Sequence, residues 1–169
     1  MVTAYINIFS KEPHYITVEK ALDRIKTGKS KEKVLEIRAQ LDKERANKLK
    51  CNLPSICFSG KFGADRTDKS IIEHSGFIVL DFDNVENLET KKSELIKLPY
   101  CYACWISPSG NGLKMLVEIA KGEKHLEHFT ALLKELPEID ISGKNVSRVC
   151  YESYDENIYI NPISSTYGK

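Results

Sequence analysis

The sequence predicts an α+β protein, and three observations carry that prediction. From residue 77 onward, short apolar segments of strand character alternate with segments of helical period in the order β-α-β-β-α-β, the split arrangement of RRM-like and ferredoxin-like domains. The first 75 residues carry strand and helix patterns of their own and read as a small N-terminal α/β lobe. The chain of 169 residues is 41% hydrophobic and 29% charged, with eight Tyr, six Phe and one Trp, which supports a packed interior. The expected organisation is a lobe over 1–75 packed on an RRM-like core over 76–169, one compact unit overall.

Each element has a local reason. Residues 2–9 are β-rich and predict a strand. Val18, Leu22 and Ile25 recur at helical spacing after Thr17, with Gly28 as the stop; Ser30 then caps a second pattern in which Val34, Ile37 and Leu41 share a face. Acids and bases are interleaved along that second segment, as on a solvated helical face. Leu53-Pro54 breaks the pattern, residues 56–58 suit a short strand, and 59–63 is a turn-rich loop. Beyond it come a strand at 77–82, a helix at 85–98 ended by Pro99, a strand at 101–107, a hairpin loop at 108–112 and a strand at 113–119. A helix at 123–136 ended by Pro137, a strand at 146–151 and an edge strand at 158–161 complete the order.

Composition excludes some classes. Twenty-five Lys and Arg against twenty-four Asp and Glu leave a net charge of +1, so any nucleic-acid partner has to be argued from local clusters. Apolar runs such as Phe77-Ile-Val-Leu80 fall far short of the roughly 20 residues of a membrane span, and no signal stretch opens the chain. The expected address is cytoplasmic, with no membrane partner. Five cysteines without a scaffold spacing read as reduced thiols; Cys101 and Cys104, placed on one strand, should point to opposite faces.

The sharpest chemical signal is Phe77-Ile-Val-Leu-Asp81-Phe-Asp83. Strand alternation puts Asp81 and Asp83 on one face, close enough to repel unless a cation lies between them, the arrangement that Mg²⁺ or Mn²⁺ takes. An Asp-rich turn capping the next helix through Asn84 is the plainer alternative. The split motif's usual strand order, fourth-first-third-second, adds a second argument. It brings to one edge Asp81, Asp83, the loop Ser107-Pro-Ser109-Gly110-Asn-Gly112, Lys114, Asp140, Ser147 and Arg148. Three carboxylates beside a Gly-rich loop and two cations suit phosphoryl transfer, with the cations and backbone amides on phosphate. Singly, the loop reads equally as a hairpin turn, Lys114 as a solvated lysine and Asp140 as a turn residue. His74, His125 and His128 have no metal spacing and read as packing residues.

These segments resemble a known family. The stretch ending in Leu80-Asp81-Phe-Asp83-Asn84, the run Ser107-Pro-Ser-Gly-Asn-Gly-Leu-Lys114 and the closing Asp140 to Asp155 with Ile158-Tyr-Ile-Asn-Pro162 are similar to the VirE N-terminal-like domain, grouped with the primase-polymerase superfamily. The resemblance implies metal-dependent nucleotidyl transfer on a nucleic-acid template in mobile-element or phage replication. Its metal motif falls on Asp81 and Asp83, its nucleotide motif on Ser107 to Lys114, and its third acid on Asp140. Where replicative primases carry histidine in the second motif this chain has Lys114, which holds a phosphate as a point charge but lacks imidazole chemistry. The implied partners are a nucleoside triphosphate, a single-stranded template and a helicase-like ATPase domain in cis or trans. Template is expected to follow Lys61 and Arg66, for which solvated loop charges are the alternative. Two other functions stand beside it: a catalytically silent nucleotide or single-stranded-DNA module, and a phosphatase of haloacid-dehalogenase type using Asp81 as nucleophile.

Overall fold

A computed structural model describes residues 1–169. Its largest feature is a four-stranded antiparallel sheet made of β6 (Phe77–Phe82), β8 (Leu113–Glu118), β7 (Ala103–Ile106) and β10 (Tyr159–Ile160), in the order β10-β7-β8-β6. The predicted first-third-second order is therefore present, and the predicted edge strand at the C-terminus lies beside β7. α4 (Leu88–Leu95) and α5 (His125–Glu135) are the two connecting helices. Even-numbered β6 residues Ile78, Leu80 and Phe82 join Leu113, Met115, Val117, Phe129 and Leu132 in one core on the helix side.

The other face of that sheet is covered by the N-terminal lobe. There β1 (Val2–Tyr5) pairs with β2 (His14–Ile16) and β3 (Ser55–Cys57), backed by α1 (Val18–Thr27), which Thr17 caps and Gly28 closes in the left-handed conformation. Val2, Leu22 and Ile25 from the lobe pack with Ala103, Trp105 and Leu116 from the large sheet. α2 (Lys31–Arg38) and α3 (Lys43–Lys50) replace the single long helix expected there; Asp42 caps α3 and Leu41, outside both, is fully exposed. The turn-rich loop begins as β4 (Gly60–Phe62), paired with β5 (Ile71–His74) in a hairpin the sequence pattern does not announce.

The structure corrects the fourth strand of the split motif. Only Cys150–Tyr151 is extended; this strand, β9, pairs with β3 in the lobe's sheet and leaves β6 at an edge. Asp140 is the reason. Its carboxylate accepts from the Ser142 amide at 2.8 Å and the Ser142 hydroxyl at 2.7 Å, starting a 3₁₀ turn over Ile141–Lys144 that occupies the place beside β6. One backbone bond, from the Asp140 amide to the Asp81 carbonyl at 2.9 Å, ties the turn to the strand. The opposite-face reading of the cysteines also changes: Cys101 precedes β7, and both thiols are buried in the helix-side core. Burial pushes each up to about 12, so they are unreactive thiols. No helix is long and apolar enough to cross a membrane.

Candidate functional site

The odd face of β6 looks toward the lobe, and at its end sits the densest group of charges. Asp81 is directly opposite Lys114 in the β6–β8 register, and the Lys114 ammonium donates to one Asp81 oxygen. The Arg148 guanidinium lies 3.4 Å from the other Asp81 oxygen and 3.9 Å from Asp140. Side-chain exposure is 7% for Asp81 and 12% for Lys114, so this pair is nearly dry, whereas Arg148 reaches in from solvent. Burial alone would depress the lysine; attraction from Cys150 and the Asp81 carboxylate overcomes it and holds the ammonium above its ordinary value. Hydrogen bonds from Ser142 hold Asp140 below the usual carboxylate range.

Beside this group opens a cavity of about 460 Å³, lined by Lys114, Ser142, Lys144, Asn145, Ser147, Arg148 and Tyr151 among others. Three cations and three hydroxyls with no carboxylate in the wall make an anion site, matched to phosphate oxygens. The Ser147 hydroxyl and amide are held by Asp68, at 2.6 and 3.0 Å. Two cations of the region escaped the sequence reading. Lys144 closes the turn ahead of the expected strand, where a lone lysine gives no signal. Lys50, on α3, is pushed down by burial and lies in the fields of Asp83 and Lys114, a placement that only the packing of α3 decides.

The Gly-rich loop is positioned differently from the sequence expectation. Ser107, Ser109, Gly110 and Gly112 lie at the same end of the sheet but do not line this cavity. Arg38 of α2 holds the loop from outside, donating to the Ser107 carbonyl at 3.0 Å and the Tyr154 carbonyl at 2.9 Å. Gly112 is required by space: a Cβ there would come 2.5 Å from the Phe82 carbonyl oxygen. Lys61 is paired with Glu73 at 2.6 Å, and Arg66 stacks 4.5 Å from the Tyr5 ring while donating to the Ile8 carbonyl. Those two expected template contacts are thus engaged within the lobe.

A hard divalent ion needs carboxylate oxygens free to meet at one point. Both Asp81 oxygens are engaged by cations, Asp140 is turned onto Ser142, and Asp83 is exposed without an ion pair. No three His, Cys, Asp or Glu side chains come together as a metal-holding group. As arranged, these residues do not fit Mg²⁺ or Mn²⁺; Lys114 and Arg148 stand where the ion's charge would be.

The family model described as BT4734-like, N-terminal domain matches residues 48–160, well over half of the chain. The chain belongs to that family. The BT4734-like N-terminal domain is a VirE N-terminal-like family, so the coarser part of the resemblance read from the motifs holds. In this BT4734-like domain the matched span runs from the end of α3 through β10 and contains Asp81, Lys114, Asp140 and Arg148. No curated protein and no solved structure matches the chain.

Proposed function

We propose that this BT4734-like domain binds nucleotide and single-stranded nucleic acid through phosphate, as the primase-polymerase-type domain of a mobile-element or phage replication protein. The observation that carries the reading is the carboxylate-free wall of the 460 Å³ cavity, where Lys114, Lys144 and Arg148 converge. Lys114 and Arg148 have a carboxylate to release when phosphate arrives, since both face Asp81. A helicase-like ATPase, in cis or trans, is the expected partner in such a system.

Metal-dependent nucleotidyl transfer on the template is the catalytic form of this reading. It has the weaker support, because both Asp81 oxygens are taken by Lys114 and Arg148 and Asp140 is turned onto Ser142. A phosphatase using Asp81 as nucleophile has less support, because a carboxylate clamped by Lys114 and Arg148 is a poor nucleophile.

Fluorescence titration with a nucleoside triphosphate tests the binding reading. Lys114→Ala and Arg148→Ala should each weaken affinity by a factor matching roughly 1.5–3 kcal/mol, the worth of a charge-assisted hydrogen bond. Wild-type affinity in both variants would refute it. Extension of a single-stranded template with labelled nucleotides and Mn²⁺ or Mg²⁺, wild type against Asp81→Ala, separates enzyme from binding module: product made by wild type and lost in the variant establishes catalysis.

A further inference from the structure

On the other side of the 140–148 segment lies a cavity of about 920 Å³, bounded by β5, the segment after β8, the start of α5 and residues 144–146. Its size falls within the range of small-ligand sites. None of the sequence motifs points to it.

Its chemistry differs from that of the anion cavity. Ile71, Ile119 and Val146 supply apolar wall, and Ile72 and Leu126 stand at 64% and 59% exposure, two large apolar side chains left in water beside a cavity. The charged lining is mainly acidic, with Asp68, Glu73 and Glu123 against Lys144. Phosphate is therefore disfavoured here and an uncharged group with amino donors is favoured. Lys144 and Asn145 line both cavities, so the two adjoin at these residues.

The polar floor is a histidine pair in defined tautomers. The Gly76 amide donates to His74 Nδ1 at 3.0 Å, which puts the His74 proton on Nε2. That N–H donates to His125 Nδ1, also at 3.0 Å. His125 then carries its own proton on Nε2, which has no partner although the residue is only 7% exposed. Gly122 keeps the pair in place: its backbone lies on the His74 ring, where a Cβ would come 2.5 Å from ring atoms. His125 is a lining residue of this cavity, and an orphaned buried donor beside a cavity of mixed polar and apolar lining is the kind of group a ligand carbonyl or ring nitrogen satisfies.

We propose that this cavity receives the base of a nucleotide whose phosphates occupy the Lys114–Lys144–Arg148 cavity. The inference rests on the phosphate-binding reading above. The base can belong to a free nucleoside triphosphate or to a single strand, and the two share this chemistry.

The test compares ligands with and without a base. Isothermal titration of the full chain with a nucleoside triphosphate and with inorganic tripolyphosphate should show the nucleotide binding at least about tenfold more tightly. The neutral double variant Ile72→Gln/Leu126→Gln, altered at two exposed positions, should lose that advantage and keep its tripolyphosphate affinity. An oligocytidylate against an abasic oligomer of equal length gives the strand arm; a gap in this arm alone assigns the site to a strand, and a gap in the nucleotide arm alone assigns it to free nucleotide. Equal affinities with and without base in both arms would overturn the base site while leaving the phosphate reading intact. Absence of binding by tripolyphosphate, nucleotide and oligomer would overturn both.

Discussion

Asp81 shows how a single buried carboxylate organises the site. With Lys114 and Arg148 on its two oxygens, its charge is compensated on both sides, and removing it leaves an ammonium at 12% exposure without its partner. Asp81→Asn should cost about 3–5 kcal/mol in chemical denaturation, and Asp81→Asn/Lys114→Met should recover much of that loss because the stranded charge is gone. A double variant no more stable than Asp81→Asn would show the pair to be unimportant for stability. His125 gives a second residue-scale expectation. Burial and the neighbouring His74 push its imidazole down to about 4, against about 6.5 in an unfolded chain. Between those values the unfolded state binds the proton and the folded state does not. The stability contribution is thus full above about pH 6.5 and lost as pH falls toward 4, on the order of 3 kcal/mol at most. Thermal unfolding between pH 7 and 5 should show the decline, and His125→Asn should flatten it.

Among the elements, the Gly-rich hairpin loop depends most on a distant one. Arg38, at the end of α2, supplies two of its guanidinium hydrogen bonds to carbonyls of the loop and of the segment after β9, and its stem lies against Gly110, which adopts φ +78°. Arg38→Ala should destabilise the chain by about 1–3 kcal/mol by removing two charge-assisted hydrogen bonds to carbonyls and the packing of its stem, and hydrogen exchange over 107–112 should speed up with it. Arg38→Lys should rescue little, since both bonds come from Nη2 and a lysine ammonium ends one bond short of that position. Gly110→Ala should cost about 1 kcal/mol for the left-handed backbone alone. Unchanged exchange in Arg38→Ala would mean that the loop holds its shape by its own turn bonds, such as Gly110 amide to Ser107 carbonyl at 3.0 Å.

At the scale of the whole molecule, lobe and sheet share a core. Trp105, the sole tryptophan, is fully buried between them, 5.7 Å from the Phe58 ring, and β9 from the C-terminal half is a strand of the lobe's sheet. A fragment of residues 76–169 would bare Tyr102, Ala103, Trp105 and Leu116, each large side chain forfeiting about 1.5–3 kcal/mol of burial. Such a fragment should show red-shifted tryptophan emission and little near-ultraviolet circular dichroism, against sharp signals from the full chain. A native-like spectrum from the fragment would establish the core as independent of the lobe.

Local pattern by itself determined the α+β class, the strand that carries Asp81, the two connecting helices, the caps at Thr17 and Gly28, and the meeting of Asp81 with Lys114 at one end of the sheet, because alternation and antiparallel pairing leave those two residues few other places. Tertiary structure decided what no periodicity encodes. The Asp140–Ser142 turn displaced a strand because side-chain hydrogen bonds over two residues outweigh weak β propensity. The β4–β5 hairpin and β9 exist by pairing with strands distant in sequence. That Asp81 meets a second cation depended on the 140–148 segment bringing Arg148 over the sheet edge, a choice made by packing across more than sixty residues of chain.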